Sequence, residues 1–335
     1  MDNALIPLTV VDVDRGTADI AVITLTTADG APLPGYEPGC HADFHLTAKS
    51  GEELVRQYSL FPMTPNTSDE GRYGITVKVE PDSRGGSEAL YNLEVGDTID
   101  ISTPRNNFGL ADNAQHSILI GAGVGIAPIY SLARGLSRQA ADFSVIYFAS
   151  SAERAVLSHL FDEYCAYKTR NVFATGAREQ QGRIVREALH PLTSVAGASH
   201  LYVCGPQGFM ETVREVASEY LPSENIHWEA FRPEEGKLQG TALADAPFTV
   251  TFRDETFAIP ADKSVLDVFE DEDFPIMSQC AEGTCGTCVM RVVDGTPDHR
   301  DSVFTEEQHE SGAFATCVSR ALSDNLTLER WRNAI

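Results

Sequence analysis

The chain has 335 residues, 42% of them apolar, and a formal net charge of −24. A length of this order suggests two or three domains at roughly 100–200 residues each, and the acidity argues against nucleic acid and anionic membrane surfaces as partners. No apolar run reaches the roughly 18 residues of a membrane-spanning helix, and the opening MDNALIPLTVVDVDRG has neither a basic start nor a long apolar core. A reducing cytoplasm is therefore expected, where grouped cysteines mean metal or catalysis more often than disulfides.

Residues 1–112 read as short strands broken by turns, among them LTVVDVD, DIAVITLTT, ADFHLTA, YGITVKVE and DTIDIS. Strands this closely spaced predict a small antiparallel β-barrel. Three motifs stand out in it. In RQYSL, Arg56 offers a fork to a phosphate, Tyr58 an aromatic face, Ser59 a hydroxyl, and Leu60 closes the strand. Arg84, Gly85, Gly86 and Ser87 precede an expected helix at EALYNL, either as a phosphate cradle or as a simple N-cap. PRNNF, with Asn106 and Phe108, either lines a ring pocket or makes a turn.

From 113 to 232 the pattern changes to strands alternating with helices, which means a parallel α/β sheet. SILIGAGVGIAPIYSLARGL is a strand, a glycine turn and a helix, with Gly121, Gly123, Gly125 and Pro128 at the turn. A pyrophosphate site needs this arrangement, although Ile126 departs from G-x-G-x-x-G and argues for a variant. Cys204, Gly205 and Pro206 end the strand LYV at the carboxyl edge of the sheet, where ligands bind. A buried structural cysteine is the alternative for Cys204. Residues 233–246, polar and without apolar period, read as a linker.

Residues 247–335 carry CAEGTCGTC, with Cys280, Cys285 and Cys288 spaced C-x4-C-x2-C and Cys317 following in FATCVSRA. This is the spacing of plant-type 2Fe–2S ferredoxins. Gly283 and Gly286 let backbone amides turn towards the cluster sulfurs, and Thr284 and Thr287 are small enough to allow it. Structural zinc usually shows paired C-x2-C knuckles, and only one such pair exists here. Cys40 and Cys165 fit no spacing pattern and read as ordinary small residues. From Asp245 to Ile335 there are 18 Asp/Glu against 7 Lys/Arg, either a solvated face or a surface steering towards a basic protein.

Taken together, RQYSL, RGGS, PRNNF, GAGVGIAP, VCGPQGFM, the EAF at Glu229 to Phe231, CAEGTCGTC with its distant cysteine, and DHRDSVF resemble the phthalate dioxygenase reductase family within the ferredoxin–NADP reductase superfamily. The resemblance covers nearly the whole chain. It implies a flavin barrel, a nicotinamide domain and a β-grasp plant-type ferredoxin domain, in that order. Arg56 and the loop Arg84 to Ser87 would hold the flavin phosphate, and Tyr58 and Ser59 would contact the isoalloxazine, Ser59 near N5. Glycines 121, 123 and 125 would admit the pyridine nucleotide, Cys204 would sit by the nicotinamide, and Phe231 would cover the flavin ring. Cys280, Cys285, Cys288 and Cys317 would ligate the cluster.

The resemblance implies FMN rather than FAD; NADH is the expected nucleotide, with NADPH the alternative. Ser150 and Arg154, in YFASSAERA, offer a site for a 2′-phosphate, while Glu153 could instead bond the ribose hydroxyls. The expected activity is the reductase component of an oxygenase system, a monomer passing electrons to a terminal Rieske non-haem iron oxygenase. The alternatives are a haem-thiolate monooxygenase as acceptor, a non-turnover redox sensor, or an FAD oxidoreductase with its own small substrate. No acid/base pair for the last is visible.

Overall fold

The computed structural model describes residues 5–28, 33, 37–51, 53–63, 71–79, 85–165, 168–173, 178–191, 197–231, 246–253, 255–272, 274, 276, 283 and 286–331. The chain divides into two compact units, Met1–Glu229 and Ala230–Ile335. Nearly all of the expected linker, like Arg84, Cys280 and Cys285, lies outside the described residues.

The first unit opens with β1 (Ile6–Asp14), β2 (Ile20–Thr26), β3 (Cys40–Thr47), β4 (Glu53–Ser59), β5 (Phe61–Pro62), β6 (Tyr73–Lys78), helix α1 (Gly86–Tyr91), β7 (Thr98–Ile101) and β8 (Arg105–Asn106). The eight strands form one antiparallel sheet in the order β4-β3-β7-β1-β2-β6-β5, with β8 paired to β3. Almost every residue of β2 is buried, because successive side chains point to opposite faces and both faces are covered. Ala21, Ile23 and Leu25 join Leu8, Val10, Phe44 and Ile75 in the barrel core. Val22 points the other way, into a second core shared with Phe61, Phe108 and the helix that follows the glycine turn.

That second core belongs to a parallel sheet. Its elements are β9 (His116–Ala122), α2 (Ile126–Arg138), β10 (Phe143–Ala149), α3 (Ser158–Cys165), β11 (Thr169–Phe173), α4 (Arg178–Leu189), β12 (Ser199–Cys204), α5 (Gln207–Ala217) and β13 (Ile226–Glu229). The strand order is β11-β10-β9-β12-β13, with every pairing parallel. The chain winds one way from β9 to β11 and then returns to the other side of β9. The carboxyl ends of β9 and β12 therefore flank the crevice where such sheets bind ligands. Phe61 on the barrel meets Tyr130 of α2 edge-on at 5.8 Å, so barrel and α/β sheet pack as one body.

The helix after RGGS starts earlier than EALYNL suggests. Gly85 is its N-cap with φ 100°, a left-handed conformation that glycine adopts at no steric cost, so Gly86 and Ser87 already belong to α1.

The second unit holds β14 (Phe248–Phe252), β15 (Glu255–Ile259), α6 (Val265–Asp271), β16 (Val289–Asp294), β17 (Pro297–Asp298), α7 (Glu306–Glu310), β18 (Ala313–Ala315), β19 (Arg320–Ala321) and β20 (Asn325–Arg330). The main sheet runs β15-β14-β20-β16-β18, with β14 parallel to β20 and the other pairs antiparallel. Ser264 caps α6 in a capping box with Asp267, which fixes where the helix starts. Phe252, Phe257, Phe269 and Phe314 fill the space under the sheet.

Candidate functional site

In the first unit, side chains from four strand ends converge. Ser59 ends β4, and its hydroxyl donates to Glu229 Oε2 at the end of β13, 2.9 Å away and 170 residues on. His41, register partner of Ser59 on β3, brings Nδ1 to 3.9 Å from Glu229 Oε1. Cys204, at the end of β12, is the register partner of Glu229 and has no exposed surface. Burial raises the Glu229 carboxyl to about 7, although the Ser59 hydrogen bond works to lower it. Burial, reinforced by the Glu229 charge, keeps the Cys204 thiol well above its ordinary value and so protonated. The Glu229 carboxyl can take up or release one proton near neutral pH, with the Ser59 hydroxyl hydrogen-bonded to it and an uncharged thiol beside it.

The glycine turn abuts this cluster. Gly121 pairs with Cys204 across the sheet, and a Cβ added at Gly125 would lie 2.6 Å from the Cys204 carbonyl carbon and oxygen and from the Gly205 nitrogen. These are backbone atoms that cannot swing aside. Gly125→Ala is expected to lower stability by about 1–3 kcal/mol through overpacking, read as a lower midpoint in urea. Pro128 lies in the first turn of α2, where its missing N–H costs nothing.

On the barrel, Arg56 lies along Gly86, where an added Cβ would meet its Cγ at 2.7 Å. Arg56 Nη1 donates to Val55 O. Its Nη2 is buried and makes no hydrogen bond among the described residues. A buried guanidinium nitrogen of this kind is costly unless something accepts from it, and a flavin phosphate would supply the acceptor. Tyr58 stands edge-on to Phe44 at 5.4 Å, and Leu60 is fully buried in the barrel core.

The other expected residues are placed as follows. Asn106 accepts from the Phe108 amide and donates to Pro38 O, and Phe108 is buried against Tyr202. Arg154 spans to the barrel and pairs in bidentate fashion with Asp19 at 2.8 and 2.7 Å. Ser150 is exposed in the loop after β10. Phe231 is 42% exposed and belongs to the second unit.

In the second unit, Cys288 Sγ and Cys317 Sγ lie 3.3 Å apart in the core, too far for a disulfide's roughly 2.05 Å. Leu266, Phe304, Ala313 and Ala315 surround them. Gly283 takes φ 70° and an added Cβ there would meet Val318 at 2.6 Å, so this part of the cysteine loop is open only to glycine. Asp301, from DHRDSVF, is fully buried and braces the loop. It pairs with His309 Nε2 at 3.1 Å and accepts from the Phe304 amide, while the neighbouring Ser302 amide donates to Gly283 O. A dry pocket offering two sulfurs within reach of one iron fits a 2Fe–2S cluster.

Comparison with known proteins agrees with this geometry. An oxidoreductase FAD-binding domain matches residues 7–109, an oxidoreductase NAD-binding domain residues 119–215, and a 2Fe-2S iron-sulfur cluster binding domain residues 248–322. Phthalate dioxygenase reductase of Burkholderia cepacia is 31% identical over 98% of both chains. A solved structure of a phthalate dioxygenase reductase aligns over 98% of each chain at 32% identity, with a TM-score of 0.64. The chain belongs to the phthalate dioxygenase reductase family.

As a member of the phthalate dioxygenase reductase family it is a flavin- and iron–sulfur-dependent NAD(P)H oxidoreductase. Vanillate O-demethylase oxidoreductase from a Pseudomonas species is 36% identical over 93% of this chain and 95% of its own. An intact type IV self-sufficient cytochrome P450 monooxygenase matches 97% of this chain at 27% identity and a TM-score of 0.79, the match spanning 41% of that larger protein.

Sequence reasoning missed Glu229 and His41 as members of the reductase's site. EAF was noted as a motif, but the carboxylate gains meaning only from Ser59, which no local spacing connects to it.

Proposed function

We propose that the protein is the NADH-dependent reductase component of an oxygenase system, passing electrons through FMN and a 2Fe–2S cluster to a terminal Rieske non-haem iron oxygenase. The observation that carries the reading is the convergence of Ser59, Cys204 and Glu229 where the barrel meets the switch point of the parallel sheet. Those residues suit a flavin ring on one side and a nicotinamide on the other. When bound, FMN accepts two electrons as hydride from NADH and releases them singly to the cluster.

The chain's own groups do the rest. Arg56, with Gly86 alongside, would hold the flavin phosphate. Ser59 would present its hydroxyl to the flavin ring, and its bond to Glu229 would give a proton from the ring somewhere to go. Cys204, neutral and buried, borders the nicotinamide without placing a charge beside the hydride path. Gly121, Gly123 and Gly125 let the nucleotide backbone approach. Cys288 and Cys317, with Cys280 and Cys285, hold the cluster. Names such as phthalate dioxygenase reductase and vanillate O-demethylase oxidoreductase among the relatives support an oxygenase as the acceptor. The acidic chain suits brief electrostatic docking on a basic partner.

Anaerobic titration with NADH tests this. Flavin and iron–sulfur absorbance are expected to bleach together, and the cofactor released on denaturation to be FMN. A flavin that bleaches while the cluster absorbance stays intact would overturn the electron path.

A further inference from the structure

The chain runs on from its last strand, β20, into Trp331. Arg330 pairs with Met290 of β16, so the next residue leaves the sheet beside Val289, one position from Cys288. Trp331 is half-buried, and it packs on the small core that holds Cys288, Cys317 and Phe304. The tryptophan therefore belongs to the wall of the pocket that receives the cluster.

One atom of the ring is out of keeping with that setting. An indole Nε1–H donates a hydrogen bond and cannot accept one. Trp331 Nε1 is buried and makes no hydrogen bond among the described residues. Leaving such a donor unmet is costly, and a buried indole N–H usually finds a partner. The nearby backbone carbonyl of Cys288 is already occupied: it accepts from the Thr316 hydroxyl at 2.9 Å and from the Thr316 amide at 3.4 Å. What the pocket offers instead is sulfur, from the Cys288 and Cys317 thiolates and from the sulfides of a cluster held by them. Sulfur bound to iron carries negative charge and accepts from N–H donors, which is one of the ways a protein sets a cluster's potential.

We infer that Trp331 donates its indole N–H to a sulfur of the 2Fe–2S cluster and so raises the cluster's reduction potential. The sign follows from charge. Reduction adds one electron, and an N–H dipole aimed at the sulfurs stabilises the more negative form more than the oxidised one. Trp331 ligates no iron; it tunes the acceptor that takes electrons from the flavin. The inference rests on the reading that Cys288 and Cys317 are cluster ligands.

The test uses the whole chain loaded with flavin and cluster. Trp331→Phe keeps an aromatic ring in the wall and removes the donor. Its cluster is expected to be harder to reduce, the reduced-to-oxidised ratio at a fixed potential falling about fivefold, which is about 40 mV at roughly 59 mV per tenfold for one electron. Dye-mediated titration followed by EPR of the reduced cluster reads this without turnover. A second readout needs no variant. In wild type isotopically labelled at the indole nitrogen, pulsed EPR of the reduced cluster is expected to show a coupling to that nitrogen. The coupling should survive in Trp228→Phe, which removes the only other indole of the chain.

A potential that does not move in Trp331→Phe overturns the inference, since a ring that merely keeps water from the cluster is replaced by phenylalanine without loss. A labelled wild type without the coupling overturns it as well, and decides the question if Trp331→Phe does not hold its cluster. A coupling that disappears in Trp228→Phe assigns the contact to the wrong tryptophan and has the same result. If the wild type itself holds no cluster, the ligand reading fails; if it holds one and these readouts go against Trp331, the inference alone falls.

Discussion

Cys317→Ala is expected to abolish the iron–sulfur absorbance and to cut NADH-driven reduction of cytochrome c by on the order of 100-fold or more, beyond the roughly 10–100-fold typical for losing a hydrogen-bonding partner around a metal site. The flavin should still bleach with NADH, because barrel and nucleotide sheet share the first unit and Cys317 lies in the second. The reason is geometric. Cys317 Sγ is 3.3 Å from Cys288 Sγ, in a core with no other soft donor among the described residues. Removing one thiolate would leave the cluster a ligand short, with apolar side chains beside the gap. Cys165→Ala serves as control. It removes a thiol whose described neighbour is Ser137 Oγ, 3.8 Å away, and should keep the cluster. A Cys317→Ala protein with its visible spectrum intact would remove Cys317 from the ligand set.

Glu229→Gln should produce the second large effect. In the wild type the carboxyl titrates near 7, so its ability to accept a proton through Ser59 rises with pH through that value and then levels off. Glutamine cannot take a proton. The variant should turn over more slowly, by on the order of 100-fold if the step is general-base assisted, and lose the inflection near 7. The ionisable neighbours are His41, Cys40 and Cys204. Burial raises Cys40 to about 11 and keeps Cys204 protonated, which leaves His41 to be excluded by His41→Gln.

Stability should move the opposite way. A carboxyl raised in the folded state from an ordinary 4.5 to about 7 contributes fully below 4.5, and that contribution disappears as pH rises through 7. Above 7, therefore, Glu229→Gln should match or exceed the wild type in thermal stability while falling behind in rate. Stopped-flow traces and melting curves on either side of pH 7 check both halves. An unchanged inflection in Glu229→Gln would assign the titration to another group.

The cysteines and the glycine turn were legible in the sequence because their chemistry is local. A spacing of four and two residues in CAEGTCGTC already states that three sulfurs can close on one object, and a strand running into GAGVG states where a helix begins. Ser59 and Glu229 could not be read together, since 170 residues separate them and only the meeting of barrel and sheet joins them. Arg154 shows the same limit. Its pairing with Asp19, 135 residues earlier, is a contact that no local pattern around β10 announces. Phe108 likewise meets the Tyr202 ring, a contact that no local spacing announces.

The shared core of the first unit bears on how such proteins can be recombined. Val22, Phe61 and Phe108 come from the barrel, yet they sit in one cluster with Leu119, Ile129 and Tyr130, and Pro38 lies where a side chain on Gly135 of α2 would have to go. A crossover placed near residue 113, where the strand pattern changes, would strip apolar cover from both products. A graft that keeps everything through Glu229 leaves that shared core whole, so the part to exchange when engineering a new electron acceptor is the last third of the chain.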